Sequence, residues 1–173
     1  GAMLTTDRFN RPNSAFEFDG KSDLINSNST FDFEYRTISL WVMPYEHSGI
    51  SPYNDVALAQ DCPSLNNGLV GVSFEDGKLL LAAGGSGVNS FYFAENTRLN
   101  KWFHIVLVRN SNTNLYYING ELVATGFSNS KTSTWDTNCQ LIIGAGRSMH
   151  LQFFQGKIDD IAIFNRAINQ EEV

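Results

Sequence analysis

The feature that most constrains the fold is an Asn-Gly dipeptide at positions 119 and 120, between two short segments in which apolar and polar residues alternate. Asn119 and Gly120 both tolerate the positive φ angles of a two-residue hairpin turn, so the dipeptide predicts a tight β-hairpin between residues 115–118 and 121–124. An isolated hairpin is marginally stable in water, so further strands must cover its apolar face.

Other short segments rich in β-forming residues recur at intervals of about 10 to 15 residues, with turn residues between them. The predicted strands are residues 15–18, 37–43, 69–74, 78–82, 90–94, 102–109, 140–143 and 157–164. Only residues 165–173 suggest the start of a helix. The pattern predicts an all-β fold, a two-sheet antiparallel β-sandwich (jelly roll) with a short C-terminal helix start.

Composition and charge exclude several classes of protein. Of the 173 residues, 42% are hydrophobic and 13% aromatic, which is enough for a full core. A net charge of −6 argues against nucleic acid as a partner. No apolar run approaches the roughly 20 residues of a membrane span, so no membrane insertion is expected.

The chain reads as one domain, without internal repeats or a linker. Gly1, Ala2 and Met3 resemble a protease-cleavage scar, so residues 1–3 are interpreted as an expression scar. Residues 4–173 are then a single domain excised from a larger protein.

The two cysteines, Cys62 and Cys139, lie far apart in loop-like contexts. Neither has the neighbouring Cys or His that a metal site requires. They form either a disulfide, which would close a long loop and stabilise the fold by about 4 kcal/mol, or two unpaired thiols.

Five motifs in sequence order resemble the LamG-like jelly roll (laminin G-like) of the concanavalin A-like lectin/glucanase superfamily. They are FEFDG at 16–20, RTISLWV at 36–42, WFHIVLV with LYYING at 102–108 and 115–120, LIIG at 141–144, and FQGKIDDIAIFNRAI at 154–168. The resemblance implies a β-sandwich module of a secreted or cell-surface protein, hence an extracellular location. Members of the family bind glycans or proteins, and many accompany enzymes or adhesins.

The resemblance also implies a structural Ca²⁺, because in this superfamily an ion often joins the turn after the first strand to an Asp on the last strand. The matching groups are Asp19, the carbonyl of Gly20, and Asp159, with Asp23 as a weaker addition. Strand alternation favours Asp159 over Asp160, because it would share a face with Ile161 and Ile163. The alternative is that Asp19 and Gly20 form a plain turn, while Asp159 pairs with a Lys or accepts backbone N–H groups.

Catalysis is not expected. The hydrolytic members of the superfamily carry a Glu-x-Asp-x-(x)-Glu strand, which places two carboxylates on one sheet face for glycoside cleavage. No such run occurs in this sequence. The three histidines also lack the HExxH spacing of a zinc protease.

The predicted function is non-catalytic recognition of a polysaccharide or other glycan, or of an extracellular protein, through aromatic and polar side chains on loops or on the concave sheet. The candidate ligand-binding residues lie in polar segments and are Tyr45, Tyr53, Asp61, Asn66, Asn67, Trp135, Arg147 and His150. Trp41 and Trp102 lie in predicted strands and are assigned to packing. The alternatives are a ligand-free structural spacer, or a domain that docks against a partner enzyme or adhesin domain of the parent protein.

Overall fold

A computed structural model describes residues 1–30, 36–45, 55–61, 70–75, 78–83, 91–93, 99–127, 140–146 and 152–173. These residues form thirteen β-strands. In chain order they are β1 (Met3–Thr5), β2 (Ala15–Asp19), β3 (Ile25–Thr30), β4 (Arg36–Pro44), β5 (Asp55–Asp61), β6 (Val70–Glu75), β7 (Lys78–Ala83), β8 (Phe91–Phe93), β9 (Phe103–Asn110), β10 (Thr113–Ile118), β11 (Glu121–Phe127), β12 (Gln140–Ile143) and β13 (Gln155–Phe164).

The strands form two antiparallel sheets. The seven-stranded sheet has the order β1-β2-β13-β4-β9-β10-β11, and the six-stranded sheet has the order β3-β12-β5-β6-β7-β8. The predicted all-β sandwich is confirmed. No helix long and apolar enough to cross a membrane occurs in the part of the chain that the structure describes.

The core lies between the two sheets, and one face of each strand supplies it. In the seven-stranded sheet Leu40, Val42 and Ile105 are fully buried, and Leu58 and Leu81 meet them from the six-stranded sheet. We call the side of the seven-stranded sheet that faces this core its inner face, and the opposite side its outer face. Burial of such side chains contributes about 1.5–3 kcal/mol each, so the alternating pattern in the strands is the main source of stability.

The predicted hairpin is confirmed. Asn119 and Gly120 have φ angles of 52° and 84°, and they join β10 to β11. The turn is also tied to β9, because the Asn119 N–H donates to the His104 carbonyl at 2.8 Å and the His104 N–H donates to Asn119 Oδ1 at 2.9 Å.

The predicted C-terminal helix start is wrong. Residues 165–173 form bends and a turn, which lie on the outer face of the seven-stranded sheet. There Ile168 packs with Val106, Val108 and Tyr117 in a second apolar cluster. Asn169 Oδ1 accepts N–H groups from the two following glutamates at 2.9 and 3.1 Å, an arrangement that also begins helices and explains the misleading pattern.

An extra residue in β13 changes which side chains face outward. Asp159 pairs with Trp41 and Ala162 with Ser39, so three steps along β13 match two along β4. Asp160 takes up the extra residue with a φ angle of 45°. Asp159 therefore shares the outer face with Ala162, and the prediction that it shares a face with the isoleucines is wrong because alternation fails across a β-bulge.

Two glycines with similar positive φ angles, Gly144 and Gly120, allow the packing of the core to be tested by substitution. Gly144 (φ 82°) has no room for a Cβ, which would lie 2.2 Å from the Phe18 ring, whereas a Cβ at Gly120 (φ 84°) would meet open space. We expect Gly120→Ala to cost about 1–2 kcal/mol for the left-handed conformation alone. Gly144→Ala should cost about 1–3 kcal/mol more through the clash, as measured by urea unfolding. Equal losses in the two variants would contradict the packing of Phe18 under Gly144.

Candidate functional site

The outer face of the seven-stranded sheet carries a row of polar and aromatic side chains from adjacent strands. Trp41 on β4 pairs with Asp159 on β13 and with His104 on β9. Side chains of directly opposed residues stand next to each other on a sheet. The Trp41 and His104 rings accordingly lie parallel, with centroids 5.0 Å apart and planes 17° apart.

Two arginines and a phenylalanine from the loop between β1 and β2 extend this row. The Arg8 guanidinium lies over the Trp41 ring at 4.5 Å and over the Phe9 ring at 4.4 Å. The Arg11 guanidinium lies 5.1 Å from the centroid of Phe9. We call these five residues, Arg11, Phe9, Arg8, Trp41 and His104, the arginine–aromatic stack. Each cation–ring contact contributes about 0.5–1 kcal/mol or more where water is excluded.

The loop that carries Arg8 and Phe9 is held by a buried carboxylate, Asp7. Its Oδ1 accepts the N–H groups of Phe9 at 2.8 Å and Arg11 at 2.9 Å, and its Oδ2 pairs with the Arg11 side chain. These bonds lower the pKa of Asp7, although its burial acts in the opposite direction. The positive φ angle of Asn10, 62°, completes the tight loop. Arg8 and Phe9 are therefore positioned by backbone geometry before any ligand arrives.

Two acidic side chains share the Arg8 guanidinium. Arg8 Nη1 lies 3.0 Å from Asp159 Oδ2 and 2.6 Å from Asp160 Oδ2. The Asp159 side chain is only 5% exposed, and its burial raises its pKa, as does the neighbouring Asp160 carboxylate. The Asp160 N–H, which donates to Asp159 at 2.8 Å, and the Arg8 charge act in the opposite direction.

His104 closes the other end of the stack. Its Nε2 lies 2.8 Å from the Ser39 hydroxyl, which is on the same face. Burial lowers the pKa of His104, and the positive charge of Arg8 lowers it further. The environment thus favours the neutral form of His104, which packs on the sheet face against Trp41.

Three side chains in and beside the arginine–aromatic stack are exposed and lie close to one another. Phe9 is 61% exposed, and the side chains of Arg11 and Asp160 are 60% and 53% exposed. Phe9 contacts both arginines, and Asp160 contacts Arg8, so one aromatic ring, one guanidinium and one carboxylate lie together. We call Phe9, Arg11 and Asp160 the exposed trio.

The structure does not bring Asp19 and Asp159 together. Asp19 is opposite Gln155 in the β2–β13 register, and Asp159 is four residues further along β13, about 13 Å away. Asp19 Oδ1 accepts N–H groups from Lys21, Ser22 and Asp23 at 2.8 to 3.1 Å, and these bonds lower its pKa against the opposing effect of burial.

These donors and the Arg8 guanidinium bind oxygens of the two carboxylates, and the Ca²⁺ site of Asp19, Gly20 and Asp159 stays a prediction from the resemblance. Asp19 and Gly20 form the turn alternative, with a φ angle of 71° at Gly20. Asp159 pairs with an arginine where the sequence suggested a lysine. Among the described residues no group of three or more His, Cys, Asp or Glu could hold a metal ion.

Tyr45 is the predicted ligand-binding residue whose side chain the structure describes. Its hydroxyl donates to Glu17 Oε1 at 3.0 Å, and burial together with Glu17 raises the pKa of Tyr45 to about 12. It is half-buried and bonded within the protein, next to the outer face. Asp61 is the last residue of β5. The other predicted residues lie outside the described ranges, namely Tyr53, Asn66, Asn67, Trp135, Arg147, His150, Cys62 and Cys139.

Sequence reasoning missed the loop at residues 7–11. This segment precedes every motif that identifies the fold, and three of its five residues are charged, which is typical of a solvent-exposed loop. The one available signal is Asp7 followed by Arg11 four residues later, a pattern too common to indicate a site.

The fold and the site define a β-sandwich of the lectin type with a polar and aromatic outer face. The chain belongs to the concanavalin A-like lectin/glucanases superfamily, since the Laminin_G_3 family matches residues 18–173. The predicted resemblance is confirmed. No curated protein matches the sequence.

Solved structures share the fold at low sequence identity. The receptor binding domain of botulinum neurotoxin D aligns with a TM-score of 0.72 and 17% identity over 99% of this chain and 44% of that one. The binding domain of Paraclostridial Mosquitocidal Protein 1 gives 0.71 and 17%, over 99% and 44%. A heptameric SAP-like pentraxin from Limulus polyphemus gives 0.64 and 14%, over 90% and 77%. The chain thus spans less than half the length of the two toxin domains.

The depressed pKa of His104 makes stability depend on pH. Below pH 6.5 the unfolded chain binds a proton at this side chain more readily than the folded protein, so stability should fall as pH decreases from 6.5. The slope is at most about 1.4 kcal/mol per pH unit for one proton. We expect His104→Gln to remove this slope in urea unfolding between pH 7 and 5. An unchanged slope in the variant would show that His104 titrates normally.

A double-mutant cycle measures the coupling free energy between Arg8 and Asp159. Arg8→Met leaves the buried Asp159 carboxylate without its cation, and we expect a loss of about 1–3 kcal/mol at pH 7. The same change in an Asp159→Asn background should cost distinctly less. Additive losses would mean that Arg8 stabilises through Asp160 and its ring contacts, and not through Asp159.

Proposed function

We propose that the domain is a non-catalytic recognition module that binds carbohydrate at the exposed trio. The observation that carries this proposal is that Phe9, Arg11 and Asp160 are each more than half exposed, that Phe9 and Asp160 contact the Arg8 guanidinium, and that Arg11 contacts Phe9. Phe9 and Arg11 lie on the loop between β1 and β2 and Asp160 lies on β13, whereas the sequence had pointed to other loops or to the concave sheet.

The three side chains offer the interactions that a sugar uses. The negative face of an aromatic ring attracts the C–H groups of a pyranose, and Phe9 is the exposed ring of the stack. Arg11 donates hydrogen bonds, and Asp160 accepts them from hydroxyl groups. Both faces of Trp41 are taken by Arg8 and His104, so Trp41 supports the site and does not provide a sugar platform.

Rigidity supports this role. Asp7 holds the loop, and Arg8 is held by Trp41 and by the two acids. A ligand that binds here would order few side chains, and the entropic cost of binding is correspondingly small. An open, shallow site still gives modest affinity, and repetition of the domain in a parent protein would raise it.

The acidic groups support a non-catalytic role. Glycoside hydrolysis needs two carboxyl groups on opposite sides of the scissile bond, about 5 to 9.5 Å apart. Asp159 and Asp160 are adjacent in sequence and bind the same guanidinium nitrogen, so they cannot flank a substrate. The proposed contacts come from side chains of the chain itself, without a metal ion.

The solved structures support an extracellular setting. Their names describe two of them as binding domains of toxins and one as a pentraxin, and the first is a receptor binding domain. By this analogy we propose that the domain belongs to a secreted or cell-surface protein.

A glycan array followed by calorimetry tests the proposal, with and without millimolar calcium. We expect Phe9→Ala to weaken the best glycan at least tenfold, because it removes the ring that packs on the sugar. Phe127→Ala is the matched control, since Phe127 is 65% exposed on β11 at the far edge of the sheet. This variant should bind the glycan as tightly as the unsubstituted domain.

Two results would overturn the proposal. One is that the unsubstituted domain binds no glycan, which would favour a spacer or a protein-docking domain. The other is binding that Phe9→Ala and Arg11→Ala leave intact, which would place the sugar elsewhere on the domain.

A further inference from the structure

The strand position next to β13 on its β2 side, which we call the lane, is occupied over only part of its length. β13 pairs with β4 as far as Phe164, but it pairs with β2 only over Gln155 to Ile158. Beyond that point none of the described strands lies on the β2 side of residues 159–164. Before β2, Asn13 has a φ angle of 55°, and the Ser14 N–H donates to the Thr5 carbonyl of β1 at 3.0 Å, so this N–H faces β1 and not β13.

Burial along β13 changes where β2 ends. Gly156 and Ile158 face the core beside β2 and are buried. Ile161 and Ile163 face the same side after the bulge but are only partly buried. Their remaining exposure is what an open strand edge would show.

The lane opens into an apolar slot between the sheets, which we call the edge slot. Its volume is about 290 Å³, and its apolar lining is Phe16, Phe18, Ile25, Ile143, Ile158 and Ile161. The rim is extended by Leu4, which is 56% exposed and pairs with Phe16 in the β1–β2 register. This volume is just below the roughly 300–1,000 Å³ of small-molecule sites, and it suits one or two apolar side chains.

The mouth of the slot has an excess of negative charge. Asp159 and Asp160 line it, and both bind the single guanidinium of Arg8. Arg11 also interacts with both carboxylates but pairs with Asp7, so three carboxylates face two guanidinium groups and one negative charge remains, in a chain of net charge −6. A positively charged group is the complementary partner.

We propose that residues 159–164 of β13 form an open edge that accepts an extended, basic segment of a partner protein as an added β-strand. An apolar side chain of that segment enters the edge slot, and a Lys or Arg lies opposite Asp160. In strand addition, backbone hydrogen bonds give affinity and pockets for alternate side chains give specificity. The regular residues 162–164 past the bulge provide about 10 Å of edge at about 3.3 Å each.

The bulge does not prevent such pairing. Bulges and charges often protect sheet edges from aggregation, and Asp160 supplies both at one end of this edge. Past the bulge the register with β4 is regular from Ala162 to Phe164. The bulge thus restricts pairing to one end and marks where the basic residue must lie.

Titration of the ¹⁵N-labelled domain with a synthetic heptapeptide, Lys-Ile-Lys-Val-Lys-Ile-Lys, tests the proposal. We expect amide shifts at residues 159–164. The same peptide N-methylated at its Ile and Val residues should bind at least tenfold more weakly, because it loses backbone donors. A peptide with Glu in place of Lys should also bind at least tenfold more weakly.

Asp160 belongs to both this surface and the carbohydrate site, so variants at two unshared residues separate them. Phe16→Ser should weaken the peptide severalfold and leave glycan binding intact, whereas Phe9→Ala should do the reverse. Leu122→Ser is the control, since Leu122 is 49% exposed on β11, away from the slot. Equal binding of the methylated and unmodified peptides overturns the proposal, since this would be charge attraction alone. Shifts away from residues 159–164, or dimerisation of the domain that the peptide does not displace, would also overturn it.

Discussion

The additional residue at Asp160 determines much of what is particular to this sandwich. By shifting β13 one position against β4, it puts Asp159 on the outer face beside Trp41, where Arg8 binds it. The same distortion lies where β13 separates from β2, so the edge slot opens next to it. Bulges re-aim side chains and end strand pairing, and both effects occur here within three residues. The two proposed binding surfaces therefore meet at one backbone irregularity, and Asp160 belongs to both.

On the outer face, the positive charge of Arg8 compensates the buried Asp159 carboxylate. A carboxylate as buried as Asp159 is costly without a partner, and burial raises its pKa even beside Arg8. Since the folded state binds this proton more tightly than the unfolded chain, ionised Asp159 opposes folding above its usual pKa. Arg8 limits this cost, and the rings of Phe9 and Trp41 cover the guanidinium. The superfamily resemblance suggested that a metal ion would supply this positive charge, whereas in this chain an arginine from the preceding loop supplies it.

The strength of the sequence inference differed between fold and site. Strands such as β4 and β9 were predictable because buried residues alternate along them, and the 119–120 turn requires positive φ angles that its residues tolerate. The polar strand β3, with the sequence INSNST, was missed because it carries no apolar alternation. It is a strand because β12 pairs with it, and hydrogen bonding between distant segments leaves no local signal.

The sequence by itself determined the sandwich, the hairpin and the superfamily, because each of these depends on residues close together in the chain. Tertiary structure decided the site. Arg8 and Asp159 are separated by 151 positions and meet only because β2 and β13 are neighbours in one sheet. It also decided that Asp19 and Asp159 remain apart, since the register of two strands is a property of the pair and not of either segment. The arginine–aromatic stack and the edge slot exist only after those strands have paired.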